Sequence, residues 1–210
     1  MNKIWKYKCR THDAKRSTLC AMRYALCALL LSSCFKVREP EPSNTQFNQS
    51  EWLSPVEPDI LLDNFRLAVV QINIANYERC FDRNNFSFEP DPIVRGNNQG
   101  IFENWTFNEE SEYFKNLEEK KDSTLSNDLI FVETQSNYIT VDSLEYSAGY
   151  SLTLNHKDTI FNNNYNNNYL EGKLIFILTR KNNEWMINSW QDIKDTTLCW
   201  TDLKANFITQ

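Results

Sequence analysis

Leu144-Glu145-Tyr146-Ser147-Ala148-Gly149-Tyr150-Ser151-Leu152-Thr153-Leu154 is the stretch whose reading decides the fold class. Tyr146, Ala148, Tyr150, Leu152 and Leu154 fall on one side of an extended chain, and Glu145, Ser147, Gly149, Ser151 and Thr153 on the other. Side chains of a strand alternate between faces, so this pattern predicts an antiparallel strand with one face on a core and one toward solvent. Downstream, residues 170–180 hold Leu174-Ile175-Phe176-Ile177-Leu178, apolar on both faces, which predicts a central strand. Residues 184–192 alternate again, with Trp185, Ile187 and Ser189 opposed to Met186, Asn188 and Trp190, and Lys181-Asn182-Asn183 predicts a tight hairpin between the two. Upstream, residues 128–135 contain Leu129-Ile130-Phe131-Val132 and predict a further strand.

The region before these strands reads differently. Ser54, Pro55, Glu57, Pro58 and Asp59 are the capping residues and prolines of a first helical turn. Leu61, Phe65, Ala68, Val69, Ile72 and Ala75 then recur at spacings of three and four, and the pattern predicts one long amphipathic helix reaching Cys80. Phe86-Ser87-Phe88, followed by Glu89-Pro90-Asp91-Pro92, predicts a short extended piece closed by a proline turn. A second helix is expected from Asn108 as cap, through Tyr113, Phe114 and Leu117 to about Lys121, with Glu109, Glu110 and Glu112 near its positive end. Between the strands, the asparagine-rich tract at 161–169 predicts a flexible hairpin loop. The class is therefore α+β, with amino-terminal helices followed by antiparallel strands.

The first 33 residues differ in kind. They carry seven basic residues against one acid, then the seven-residue apolar run Ala25-Leu26-Cys27-Ala28-Leu29-Leu30-Leu31, then Ser32-Ser33-Cys34. A basic flank, a short apolar run and small residues are the layout of a secretory signal peptide, and the run is too short for a span of about twenty residues. Met22 offers an alternative start that leaves a compact signal peptide. Residues 35–50 are polar, contain Pro40 and Pro42 and predict a tether. The organisation expected is a signal peptide at 1–33, Cys34 and a tether at 34–51, and one α+β domain at 52–208. The net charge of −6 is a sum of opposites, because 15 basic and 27 acidic side chains remain from Cys34 onward, a balance of −12. That charge excludes nucleic acid as the expected partner, since phosphate binding needs clustered positive charge.

Few residues remain for metal or nucleophilic chemistry. Cys80 and Cys199 are the only cysteines of the domain, either a disulfide or two buried thiols. His156 is its only histidine, in Leu154-Asn155-His156-Lys157-Asp158, where a solvated turn residue is expected. No metal, no cofactor and no phosphate-cradling loop is expected from this inventory, which lacks Cys-x-x-Cys and holds four glycines.

Two resemblances add to this reading. Leu31-Ser32-Ser33-Cys34 resembles the lipobox of bacterial lipoproteins, which implies lipidation at Cys34, a membrane as partner through that lipid, and an extracytoplasmic place in the bacterial cell envelope, at the outer membrane or cell surface. The element order, with Tyr77-Glu78-Arg79-Cys80-Phe81 leading to Phe86-Ser87-Phe88-Glu89-Pro90-Asp91 and the ending Trp185-Met186-Ile187-Asn188-Ser189-Trp190-Gln191-Asp192, resembles the NTF2-like superfamily of nuclear transport factor 2, ketosteroid isomerase and scytalone dehydratase. The resemblance implies a cone, with amino-terminal helices packed on a curved antiparallel sheet and enclosing a cavity, lined here by candidates Phe65, Tyr146, Tyr150 and Trp190, which either admit a small apolar ligand or fill the cone as core. It implies two function classes. One is a non-enzymatic domain binding an envelope protein, a glycan or a small apolar ligand. The other is an isomerase or hydro-lyase using a carboxylate and a tyrosine, for which Asp192 and Tyr77 are the candidates. A site built on paired histidines is excluded by His156 standing alone.

Overall fold

The computed structural model describes residues 52–158 and 168–209. The expected signal peptide, Cys34 and the tether lie outside these residues, as does most of the asparagine-rich tract.

Helix α1 spans Pro58–Gln71, with proline in its first turn, and buries Leu61, Leu62, Phe65, Ala68 and Val69. It ends at Ile72, whose φ of 44° and ψ of 62° place it in the left-handed region while its N–H still reaches back to Ala68 and Val69. The side chain of Asn73 then caps α2, Ile74–Arg79, by accepting from the N–H of Asn76. The single long helix expected from apolar spacing is therefore two. The periodicity continues across the break because Ile72 is itself buried, and an asparagine cap competes with helix continuation by offering the next turn's N–H an acceptor.

Strand β1, Ser87–Glu89, follows. Where a proline turn was expected, the Asp91 carboxylate accepts from the N–H groups of Ile93 and Val94 and starts the short helix α3, Pro92–Asn97. Helix α4 spans Phe107–Glu119, and its cap is Thr106 rather than Asn108, with Glu109 completing a reciprocal capping box. The strands β2 (Asp128–Thr140), β3 (Ser143–Thr153), β4 (Tyr169–Lys181) and β5 (Glu184–Lys194) form one sheet with β1 in the order β1-β5-β4-β3-β2. Burial alternates residue by residue along β3, as its sequence predicts, and β4 is central. The β4–β5 hairpin turns on Asn182 (φ 53°) and Asn183 (φ 66°), two positive φ values that match the strands' twist. β1 joins the far edge in parallel, setting Phe88 beside Trp190.

The last helix among the described residues is α5, Trp200–Phe207, an element not expected from the sequence. Its Trp200, Leu203, Lys204 and Phe207 are all fully buried. They recur at spacings of three and four, so one helical face carries the whole set into the sheet's concave side.

Candidate site in the cone interior

Phe65, Tyr146, Tyr150 and Trp190 are all buried; Phe65 and Trp190 are in direct ring contact, and Tyr150 is joined to both through Trp200. The Phe65 ring from α1 lies 5.3 Å from Phe176, 5.7 Å from Trp190 and 5.8 Å from Trp200. Trp190 and Trp200 meet edge to face at 4.8 Å, a favourable arrangement of ring quadrupoles. Tyr150 approaches Trp200 at 5.2 Å, while Tyr146 sits further along β3 between Phe131 and Phe176. The centre of this cluster is thus Trp200, which α5 inserts between Phe65, Tyr150 and Trp190.

Two polar nodes interrupt the rings. At the first, Asp192 accepts from the Tyr150 hydroxyl at 2.8 Å and from the Thr201 N–H and hydroxyl at 2.7 and 2.6 Å. Burial pushes the carboxyl above its ordinary range against the pull of these donors. Tyr150 in turn accepts from the Trp200 N–H at 2.8 Å, so β3, β5 and the first turn of α5 are tied at one point.

At the second node, Glu110, in the first turn of α4 as expected, faces inward and is wholly buried. Lys204 Nζ donates to both of its oxygens, at 2.9 and 2.6 Å. Trp105 Nε1 donates to Glu110 Oε2 at 2.7 Å, and the Tyr77 hydroxyl to Oε1 at 2.6 Å. Behind Tyr77, the Tyr113 hydroxyl lies at 2.7 Å and receives the Trp200 indole N–H at 3.2 Å, which makes a relay ending on the carboxylate. The Lys204 ammonium also sits 3.5 Å from the Phe88 ring centre and 3.6 Å from that of Trp190, with Tyr113 and Trp105 at 5.3 and 5.6 Å. Desolvation lowers the lysine to about 8, opposed by the charge and hydrogen bonds of Glu110. Tyr77, Tyr113 and Tyr150 are held well above the usual phenol value, first by burial and then by the neighbouring carboxylates.

Tyr77 and Asp192, the candidate phenol and carboxylate, belong to different nodes. Tyr77 serves Glu110, and Asp192 is served by Tyr150. Two further expectations change. His156 is buried against Phe207 at 5.0 Å, with its backbone bridged to Lys121, because α5 covers the turn that would otherwise face solvent. Burial holds its imidazole below the ordinary value. Cys80 and Cys199 are two separate buried thiols, both pushed upward by desolvation. Among the described residues, no group of three or more His, Cys, Asp and Glu is placed to hold a metal ion, and no helix is long and apolar enough to cross a membrane.

The signal that reading the sequence missed was available in it. Trp200, Leu203, Lys204 and Phe207 have helical spacing, and Asp202 stands three residues after Cys199, where its carboxylate accepts from the Cys199 N–H. What hid the helix was the lysine in its apolar face.

Five strands wrapped on helices in this order have counterparts among solved structures. One, carrying the name of a scytalone dehydratase from Novosphingobium aromaticivorans, superposes with a TM-score of 0.51 at 4% identity, over 66% of this chain and 81% of that chain. The fold is NTF2-like. A second protein of that organism, carrying the name of an aromatic ring hydroxylase, gives 0.51 at 13% identity over 66% of this chain and 87% of its own. An NTF2-like protein from Shewanella oneidensis gives 0.44 at 13% identity over 64% and 93%. No family model matches the sequence, and no curated protein matches it. In this NTF2-like cone, side chains of α5, Trp200 foremost, occupy the interior between Phe65, Tyr150 and Trp190.

Proposed function

We propose that this protein is a lipid-anchored, extracytoplasmic domain that works by binding an envelope protein, not by catalysis. The carrying observation is an exposed apolar group at the β2–β3 end of the sheet, where Tyr138, Ile139 and Val141 are 66%, 58% and 79% exposed. Tyr138 and Val141 border a groove also lined by Val56, Pro58, Leu144, Arg180 and Trp185, with the Tyr138 and Trp185 rings 6.3 Å apart. Adjacent exposed apolar side chains beside a groove are the surface chemistry of a protein contact, whereas isolated ones need no explanation.

The filled interior supports the same reading. A small apolar ligand would have to displace Trp200 and Phe65, and a substrate would have to reach an Asp192 whose oxygens already accept from Tyr150 and Thr201. Anchorage follows from the lipobox resemblance at Cys34, with acyl chains contributing about 0.8 kcal/mol per buried methylene.

The test is membrane fractionation of Cys34→Ser alongside co-purification with Val141→Asp/Ile139→Asp. The expected result is that Cys34→Ser leaves the membrane pellet, and that the double variant stays anchored but loses a partner the wild type retains. A pellet that keeps Cys34→Ser overturns the anchor. A partner set unchanged by the double variant overturns the surface.

A further inference from the structure

The two outer strands of the sheet differ. β1 has three residues, whereas β2 has thirteen and, among the described residues, pairs on one side only, with β3. From Val132 to Thr140 every residue of β2 is exposed. A strand edge presents unpaired N–H and C=O groups that template another strand, and lysine or proline on the edge is a common defence. β2 has neither. Between Lys121 and Lys157 the chain carries five acids, Asp122, Asp128, Glu133, Asp142 and Glu145, and no lysine or arginine. The register shifts after Val132 and after Tyr138 bend the strand, yet Asp128–Val132 and Gln135–Tyr138 stay in regular register with β3.

The groove beside this edge carries the same sign of charge. Ser136 and Tyr138 line one side and the start of α1 the other, where Glu57 and Asp59 are exposed. The groove's arginine, Arg180, is already bound to Asp142 at 2.8 Å. A segment lying along β2 therefore meets the exposed apolar side chains of Ile130, Val132 and Tyr138 together with carboxylates. A second copy of the chain would bring the same acids to the same edge, so charge disfavours self-pairing and favours a basic partner.

We propose that the free edge of β2 binds a partner protein by strand addition, taking up an extended segment in which apolar and basic residues alternate. Main-chain hydrogen bonds to β2 hold the segment, its apolar side chains cover Ile130, Val132 or Tyr138, and its cations face the acids of the edge and groove. This rests on the surface reading above, which concerns the same end of the sheet, and adds the partner's conformation and charge.

The experiment titrates the full-length chain, in detergent, into a fluorescent octapeptide of alternating lysine and valine, read by anisotropy. Comparators are the glutamate–valine octapeptide and two forms of the probe, N-methylated at every valine or at every lysine. Alternate N–H groups of a strand point to the same side, so methylation in one register removes the bonds to β2 and in the other leaves them. The expected result is saturable binding of the probe, none of the acidic peptide, and loss with one methylated form only. Glu133→Lys combined with Asp128→Lys is expected to weaken the probe roughly tenfold. No binding, equal behaviour of the two methylated forms, or full binding to the charge-reversed variant overturns the proposal. The methylated forms need no variant, so they decide the matter if that variant does not fold. A dimer in sedimentation whose β2 amides are protected from exchange puts a second copy on the edge and also overturns it. The surface reading fails separately, through a partner set unchanged by Val141→Asp/Ile139→Asp.

Discussion

Lys204 on α5 and Glu110 on α4 form a wholly buried ion pair, with Nζ 2.9 and 2.6 Å from the two carboxylate oxygens across 94 residues of sequence. Neither charge touches solvent, so the stability of the pair depends on both members being present. Glu110→Gln leaves a buried ammonium facing a neutral amide and is expected to cost about 3–5 kcal/mol. Lys204→Met leaves a carboxylate still held by Trp105 and Tyr77 and costs less. The double variant removes both charges and is expected to be more stable than the sum of the single losses predicts, by about 2 kcal/mol. Urea denaturation of the four proteins measures this. Simple additivity would mean that the pair is not coupled.

Tyr150 links Asp192 to the start of α5 through one oxygen, which donates to the carboxylate and accepts from the Trp200 N–H, both at 2.8 Å. Tyr150→Phe keeps the ring against Trp200 and deletes only that oxygen. Two buried polar groups each lose a partner, at about 1–3 kcal/mol apiece, so a loss of about 2–6 kcal/mol is expected. Exchange of the α5 amides should accelerate in the same variant. A change under about 0.5 kcal/mol would show that the link contributes nothing.

Gly172 on β4 is required by this same contact. A Cβ there would lie 2.7 Å from the Ile193 carbonyl oxygen and 2.8 Å from the Tyr150 hydroxyl, whereas one at Gly96 in α3 would meet nothing within 4 Å. Gly172→Ala therefore has to move a backbone carbonyl or break the Tyr150–Asp192 bond, and its Tm is expected to fall. Gly96→Ala is expected to be neutral or to stabilise by up to about 1 kcal/mol, since alanine loses less backbone entropy in a helix. The comparison by thermal unfolding fails if the two substitutions behave alike.

How much of this was legible in the sequence follows from what each signal depends on. β3 was readable because alternation is a local property and its burial obeys it along the whole strand. β4 was readable as central because both of its faces are apolar, and the Asn182-Asn183 turn because asparagine tolerates positive φ. The break at Ile72 was not, since a buried β-branched residue in the left-handed region is imposed by packing and is disfavoured locally. Phe65, Tyr146, Tyr150 and Trp190 were readable as candidates for the cone interior, yet Trp200, which touches three of them, was not. Lys204 and Glu110 carry charge, and a single sequence gives no sign that two charges far apart in the chain will neutralise one another inside a core. Recognition of α5 would have required accepting a lysine on an apolar helical face.

His156 gives a pH dependence whose sign is fixed by its burial. Its ring packs on Phe207 from α5, and desolvation holds its pKa below the ordinary 6.5, with the negative charge of Asp158 opposing. The unfolded chain then binds a proton near pH 6.5 that the folded chain still refuses. Below that pH the unfolded state holds more protons, and stability falls as pH falls toward the folded pKa. The contribution is fully present above pH 6.5 and lost on acidification. Asp192, whose pKa is raised, acts in the opposite sense, favouring the fold at low pH and losing that contribution as pH rises through its folded value. His156→Gln isolates the first effect. Chemical denaturation between pH 5 and pH 7 is expected to show stability declining more steeply toward pH 5 in the wild type than in the variant, because the variant has no imidazole to protonate. Equal slopes would mean that the imidazole accepts its proton inside the fold as readily as outside, and that α5 does not shield it.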